Sequence, residues 1–244
     1  MKITKFTITI SFLLFTFSVS FSQTADEIID KYVSAIGGLE KVNSIKTVKF
    51  TGKMSAMGMD IPFYLTIKRP DKILLEVTMQ GMTMKQAYDG STGWQIMPFG
   101  GSKDPEKMNE EQTSQMKEQA QFEGRLVNYK DKGSIVELLG KEDMEGTEVY
   151  KIKLTEKDSS VTINYLDANS YLLLKEIGKR KIKEKEITIE TVLGDYRSED
   201  GYLMFHSIET KSDVGEMGSQ KVTVEKAEFN MDVQDDIFKM PESK

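Results

Sequence analysis

Methionine thioethers are the side chains whose type and spacing most clearly suggest chemistry in this sequence. They form two Met-x-x-Met-x-Met groups, at Met54, Met57 and Met59 and at Met79, Met82 and Met84. Thioether sulfur prefers soft metals such as Cu(I). The same unbranched side chains also repack around apolar groups of variable shape. The pattern therefore indicates either a soft-metal site or a flexible apolar surface that accepts acyl chains.

The residues that usually carry enzymatic chemistry are sparse. The chain has no cysteine and a single histidine, His206, which falls inside a predicted strand. The acidic pairs Glu110-Glu111, Glu199-Asp200 and Asp235-Asp236 fall in predicted loops or on a polar helix, where such neighbours are usually solvated. No Ser/His/Asp spacing and no phosphate-binding glycine loop occurs. We therefore expect a protein that is not an enzyme and that needs no cofactor.

The first 22 residues have the composition of a secretory signal peptide. Lys2 and Lys5 precede an apolar run, and the segment ends in Ser20-Phe21-Ser22, with small residues at the positions that flank cleavage. Removing this segment moves the net charge from −6 to −8, which makes nucleic acid an improbable partner. We expect an exported periplasmic protein without a lipid anchor, in which residues 23–244 form a single domain.

Three apolar runs predict consecutive antiparallel strands that position the methionines. Ile61–Ile67, Ile73–Met79 and Met82–Tyr88 are separated by short turn sequences. A meander reverses direction at every turn, so the two methionine-bearing connections fall at the same end of the sheet. The sequence therefore predicts that methionine lines one rim of the sheet.

Two helical segments accompany these strands. Thr24 and Glu27 form a capping box ahead of apolar residues at helical spacing, and Gly37-Gly38 ends this N-terminal helix. Asp104 and Pro105 have the residue types of a helix start, so we predict a polar helical insertion over about residues 102–122. We expect this insertion to cross one mouth of the sheet.

The second half of the chain returns to strands separated by turn signals such as Glu145-Gly146 and Asp200-Gly201. Many of these strands alternate apolar with charged residues, which is typical of a sheet with one covered face and one face in water. Together the two halves predict about ten or eleven antiparallel strands, and a sheet of that size usually curls or closes. The fold class is therefore mainly β, of the α+β type.

A series of short segments follows one order along the chain: Ala35-Ile36-Gly37-Gly38, Pro62-Phe63-Tyr64, Lys68-Arg69-Pro70-Asp71-Lys72, Ala87-Tyr88-Asp89-Gly90-Ser91-Thr92-Gly93-Trp94, Tyr165-Leu166-Asp167, Tyr171-Leu172-Leu173-Leu174-Lys175 and Phe238-Lys239-Met240-Pro241. Together they resemble the outer-membrane lipoprotein-sorting (LolA-like) superfamily, in the form common in Bacteroidetes. The resemblance implies an unclosed antiparallel β-barrel whose opening is covered by helices. It also implies an apolar interior that receives the acyl chains of lipoproteins or other lipids in the periplasm.

The function expected from the sequence is therefore a monomeric carrier that moves acyl chains between inner- and outer-membrane envelope proteins. We predict a cavity lined by Phe63, Leu65, Ile67, Leu75, Val77, Met79 and Trp94, a mouth formed by Met57, Met59, Met82 and Met84, and a covering helix that contributes Met108 and Met116. Two alternatives remain. One is an envelope docking module with a solid core, and the other is a methionine-based Cu(I)-binding protein.

Overall fold

The computed structural model describes residues 23–56, 58–100, 103–182, 185–213 and 219–242. The predicted signal peptide and Met57 lie outside the described residues. Three α-helices occur in the described part of the chain: α1 (Ala25–Ala35), α2 (Leu39–Ser44) and α3 (Glu110–Gln119). None of the described helices is long and apolar enough to cross a membrane.

Thirteen strands in the described residues form one antiparallel sheet that does not close on itself, as the resemblance implied. The sequence predicted about ten or eleven strands, which is fewer than the structure shows. The order is β6-β5-β4-β3-β2-β1-β13-β12-β11-β10-β9-β8-β7, so β6 and β7 are the edges. The strands are β1 (Thr47–Ala56), β2 (Met59–Lys68), β3 (Lys72–Met79), β4 (Met82–Tyr88), β5 (Gly93–Ile96), β6 (Glu106–Lys107), β7 (Ile135–Met144), β8 (Thr147–Thr155), β9 (Val161–Asp167), β10 (Leu173–Ile182), β11 (Lys185–Glu199), β12 (Tyr202–Ser212) and β13 (Gln220–Phe229).

One face of the sheet, which we call the inner face, holds the main apolar core. Neighbouring strands bring Val48, Ile67, Ile73 and Tyr88 into one register row on this face. The core also contains residues of β8, β9, β11 and β12 from the other half of the chain, such as Ile152 and Met204. Contact between the two halves requires the sheet to curl around this face.

Helix α1 lies over one end of the curled sheet because its apolar side, including Ile28, Ile29 and Tyr32, is buried in the main core. The Ile36 carbonyl accepts a 3.0 Å hydrogen bond from the backbone N–H of Leu203. The Lys31 ammonium donates to the Tyr171 hydroxyl at 3.1 Å. Hydrogen bonds from Gln23 and Lys31 lower the pKa of Tyr171 to about 8. These contacts fix both ends of α1.

The helical insertion is shorter than the sequence predicted. Helix α3 begins at Glu110 with Asn109 as its N-cap, and Asn109 and Gln112 form a reciprocal capping box. Asp104 and Pro105 instead precede β6, in which Glu106 pairs with Gln95 of β5. The predicted start at Asp104 was wrong because an Asp-Pro pair is equally compatible with a turn, and pairing with β5 decided between the two.

A smaller apolar cluster covers the opposite, outer face of β3–β5. It contains Leu74, Ala87, Trp94 and Phe238, and Phe238 is fully buried. The Trp94 indole N–H donates a 2.7 Å hydrogen bond to the Phe238 carbonyl. Residues 230–242 are therefore held against the outside of the sheet.

Lysines at the end of β2 and the start of β3 hold the same C-terminal segment. Lys68 and Lys72 contact the Asp235 carboxylate at 2.7 and 2.6 Å. Hydrogen bonds from these two lysines lower the pKa of Asp235 to about 2. Lys68 also donates to the Val233 carbonyl at 2.6 Å. Two of the residues in the Lys68–Lys72 motif therefore attach the chain terminus to the sheet.

We predict that Phe238→Ala lowers the free energy of unfolding by about 3 kcal/mol, since it removes a fully buried aromatic ring. Trp94 is the single tryptophan of the chain, so its emission should shift to longer wavelength as water reaches the indole. Guanidinium unfolding followed by tryptophan fluorescence measures both effects. Ile237→Ala is the matched control, because Ile237 is exposed. Equal losses for the two variants would contradict the assigned packing.

Candidate functional site

The two ends of the inner face differ in burial. At the end covered by α1 and α2, the row Val48, Ile67, Ile73 and Tyr88 is at most 6% exposed. At the opposite end, the row of Met54, Ile61, Met79 and Met82 is part-buried at every position. We call the first end the capped end and the second the methionine rim. An apolar inner surface therefore remains accessible at the methionine rim.

Strand pairing places the first predicted cavity residues on one face of the sheet. Leu65 pairs with Leu75, Phe63 pairs with Val77, and Val77 pairs with Met84, so these residues share the inner face. Phe63, Ile67 and Val77 are buried in the core, while Leu65, Leu75, Met79, Met82 and Met84 are part-buried. Their role in binding stays a prediction.

The remaining predicted site residues divide into three cases. Trp94 lies on the outer face, so its assignment to the cavity was wrong; it pairs with Ala87, whose side chain belongs to the outer cluster. Met59 begins β2 and is 48% exposed at the methionine rim. Met57 lies outside the described residues. Binding of a soft metal by these thioethers stays a prediction.

Helix α3 covers the inner face beside β3, β4 and β5. Met116 of α3 is buried in the main core. Met108 is part-buried against that core but lies between β6 and the Asn109 cap, so its predicted place on the covering helix was wrong. The Met108 N–H donates to the Gly93 carbonyl at 2.9 Å. A side chain at Gly93 would lie 2.6 Å from the Thr113 hydroxyl oxygen, so glycine permits this close approach. Most other side chains of α3 are polar, which limits its hold on the sheet.

The capped end depends on the Arg69 side chain. Its Nε donates to the Ile45 carbonyl at 2.9 Å, and one terminal nitrogen lies 3.3 Å from the Val42 carbonyl. The other terminal nitrogen contacts the Glu123 carboxylate at 3.3 Å. The guanidinium carbon also lies 4.8 Å from the centre of the Phe122 ring. Arg69 thus connects the end of β2 to α2 and to residues 121–134.

Residues 121–134 carry the covering segment from α3 to β7 across the inside of the sheet. Leu126, Val127 and Tyr129 are buried in the main core. Glu123 is only 7% exposed, with one carboxylate oxygen unpaired, and Lys132 lies 3.9 Å from its other oxygen. Burial lowers the pKa of Lys132. The segment therefore places charged groups at the capped end and apolar groups over the inner face.

The second half of the inner face carries a row of polar side chains that the sequence analysis missed. Asn164 pairs with Glu176, Glu176 pairs with Thr191, and Thr191 pairs with Thr210. Asn164 lies on the inner face because it also pairs with Ile152 of the main core. The sequence did carry a signal for this row. Thr162 and Asn164 share the inward face of β9 with Leu166, and apolar residues are the rule at such positions.

Burial raises the pKa of the Glu176 carboxyl, and the neighbouring Arg125 partly opposes this shift. Arg125 donates to the Thr162 hydroxyl at 3.4 Å and lies 3.4 Å from the carboxylates of both Glu118 and Glu156. Its charge is therefore already shared between two other acidic groups. Glu176 is an acidic group inside the curve of the sheet that Arg125 does not contact directly.

Groups that could support catalysis or bind a hard metal are poorly placed. His206 is fully buried, with Nδ1 3.3 Å from the Met204 carbonyl and Nε2 3.2 Å from the Glu199 carboxylate. Among the residues that the structure describes, no three His, Asp or Glu side chains gather into a possible metal site. The expectation that the protein is not an enzyme stays a prediction.

A separate hollow of about 430 Å³ lies beside the start of α3. Ser91, Lys107, Ser114 and Lys117 are among the residues that line it. It opens to solvent, and most of the residues that line it are polar or charged, so it is a poor match for an acyl chain. The inner face at the methionine rim is the better candidate for an apolar ligand.

Comparisons with known proteins support the fold. No model of a known protein family matches the sequence. No curated protein matches it either. Among solved structures, a LolA superfamily protein from Nitrosomonas europaea matches with a TM-score of 0.60 at 14% identity, covering 89% of this chain and 98% of that one.

Two further solved structures are similar over most of their lengths. A DUF1329 family protein from Desulfovibrio piger has a TM-score of 0.59 at 11% identity, covering 88% of this chain and 96% of that one. An outer-membrane lipoprotein-sorting protein domain from Vibrio parahaemolyticus has a TM-score of 0.55 at 13% identity, with coverage of 87% and 94%. The chain therefore has the fold of the LolA superfamily.

We predict that Arg69→Ala lowers the free energy of unfolding by about 3 kcal/mol, because it leaves the Glu123 carboxylate buried without its closest cation. Urea unfolding measures the loss. The double variant Arg69→Met with Glu123→Leu removes both charges and should recover much of the stability. A double variant that is as unstable as Arg69→Ala would show that the ion pair is not the cause.

We predict that Glu176→Gln raises the melting temperature at about pH 8 and has little effect at about pH 4. Because the folded protein holds the Glu176 proton more tightly than the unfolded chain, the wild type loses stability as pH rises toward the raised pKa. Arg125, Glu156, Tyr32 and Tyr196 are the other titratable groups that interact with Glu176. Thermal melts across this range test the prediction, and a constant difference between the two proteins would contradict it.

Proposed function

We propose that this protein is a periplasmic carrier that binds acyl chains on the inner face of its curled sheet and releases them to an acceptor. The observation that carries the proposal is the difference in burial between the two ends of this face. Apolar side chains are tightly packed at the capped end and remain part-buried at the methionine rim, at Met54, Ile61, Met79 and Met82. A solid core with no binding role would have little need for an accessible apolar surface at one end.

The chemistry of the methionine rim suits a ligand that must both enter and leave. Methionine side chains adapt to apolar groups of different shape. Each ligand methylene that is buried contributes roughly 0.8 kcal/mol, so a single acyl chain binds with moderate strength. Release to a stronger acceptor therefore remains possible.

Helix α3 is suited to act as a movable cover. Met116 and Ala120 anchor it to the core, while most of its other side chains are polar. A helix with so few apolar contacts costs little to displace. Movement of α3 would enlarge the accessible part of the inner face beside Leu75 and Met84.

The fold supports the same proposal. One solved structure with this fold is an outer-membrane lipoprotein-sorting protein domain. By analogy we propose that the cargo is the acyl part of a lipoprotein or another lipid, carried toward the outer membrane. The proposal includes export by the predicted signal peptide, inner- and outer-membrane proteins as partners, a monomeric state, and no cofactor or catalysis.

We predict that Leu65→Glu weakens binding of a fluorescent fatty-acid probe at least about tenfold. The substitution places a charge on the inner face in the path of the acyl chain, and tenfold corresponds to about 1.4 kcal/mol. Emission titration measures the affinity, and circular dichroism verifies that the variant is folded.

Tyr64→Glu is the matched control for this variant. Tyr64 is the preceding residue of β2, points to the outer face and is 43% exposed. The same charge should therefore leave probe affinity unchanged there. Saturable binding that survives in folded Leu65→Glu would reject the inner face as the site, and a wild type that never enhances probe emission would reject the carrier proposal.

A further inference from the structure

The polar row of the inner face runs without interruption to the methionine rim. From Asn164 it passes through Glu176 and Thr191 to Thr210, which pairs with Gln220 at the start of β13. The Gln220 side-chain amide lies 3.4 Å from the Met54 sulfur. Along this one row, the inner surface changes from apolar side chains on β1–β4 to polar side chains on β9–β12. Glu176 is four strands away from Met54, a distance of about 19 Å across the sheet.

This row contains one hydrogen-bond acceptor without a donor. Asn164 is fully buried, and its amide nitrogen lies 3.4 and 3.3 Å from the carbonyls of Ile152 and Thr162. Its side-chain oxygen has no hydrogen-bond partner. A buried acceptor that lacks a donor destabilises the folded state, so its presence in a folded protein calls for an explanation.

The Glu176 carboxylate adds negative charge beside this orphan acceptor. It lies directly opposite Asn164 on the neighbouring strand, which places the two side chains about 5 Å apart at their β-carbons. Glu156 contributes a second carboxylate to the same region, and Arg125 already contacts both Glu156 and Glu118. The row therefore offers one unpaired oxygen atom, on Asn164, beside the carboxylate of Glu176, and the charge of Arg125 is shared with Glu118 and Glu156.

We infer that Asn164, Glu176 and Thr191 form a head-group subsite that selects acyl-chain ligands carrying a primary ammonium group. An ammonium supplies several N–H donors and a positive charge, which matches the unpaired oxygen of Asn164 and the carboxylate of Glu176. A fatty-acid carboxylate offers neither and is repelled by Glu176. The inference rests on the proposed function, since it requires that the acyl chain occupies the apolar half of the same face.

The experiment compares three ligands with the same chain and different heads. Dodecylamine, dodecanol and dodecanoate each compete against the neutral probe N-phenyl-1-naphthylamine, at about pH 8 and below the concentrations at which they form micelles. Wild-type protein should bind dodecylamine at least about tenfold more tightly than dodecanoate. Dodecanol should fall between the two, because its hydroxyl donates one hydrogen bond without a charge.

Variants identify the residues that are responsible. Glu176→Gln preserves shape and removes the charge, so the ratio of the two affinities should fall toward one. Thr191→Val removes one hydroxyl and should weaken dodecylamine without affecting dodecanoate. Glu190→Gln is the matched control, because Glu190 lies in the same strand as Thr191 on the opposite face and loses the same charge. Its ligand preference should equal that of the wild type.

The outcomes separate this inference from the proposed function. Saturable probe binding with equal competition by all three ligands would overturn the head-group subsite and leave the carrier proposal intact. An ammonium preference that is the same in wild type, Glu176→Gln and Glu190→Gln would also overturn it, since the preference would then arise elsewhere. Absence of any probe binding to the folded wild type would overturn both.

Discussion

The structure depends on one constraint: a curled sheet with an apolar inner face and two free edges must have that face covered by something other than itself. Helices α1 and α2 and residues 121–134 provide this cover at the capped end, where Arg69 connects β2, α2 and Glu123. Near the methionine rim, the ion pairs of Lys53 with Glu225 and of Lys221 with Glu209 join exposed side chains of neighbouring strands and hold no covering segment. The asymmetry between the two ends, rather than the sheet alone, creates an accessible apolar surface.

The motif residues that suggested a family serve the architecture. Within the Lys68–Lys72 motif, Arg69 secures the capped end, while Lys68 and Lys72 hold Asp235 on the outer face. The Trp94 indole N–H donates a hydrogen bond to the Phe238 carbonyl and so holds the C-terminal segment against the sheet. These motifs therefore specify how the sheet is covered on both faces, which is why they predict the fold better than they predict the ligand.

Sequence periodicity predicted which side chains of a strand share one face. It failed where a distant part of the chain decides which face is covered. In β2–β4, strict alternation with one buried face placed Leu65, Leu75 and Met84 correctly. Trp94 was misplaced because a large apolar residue fits either face, and the sequence does not show that Phe238 returns to cover the outer one. The polar row at Asn164 and Glu176 was overlooked because its members are polar residues at inward-facing positions, where the alternation of a strand predicts apolar ones. Only the pairing of four separate strands reveals that they are neighbours.

The free edges at β6 and β7 also affect the mechanics of the molecule. In a closed barrel, strand number and stagger fix the circumference, so the interior has a set diameter. An open sheet has no fixed circumference, so its curvature can change with the loss of non-covalent contacts alone. The curvature of the sheet is therefore elastic. If the protein carries acyl chains as proposed, ligands of different width would be accommodated by a change in the separation of the two edges, with the strain distributed over many strands.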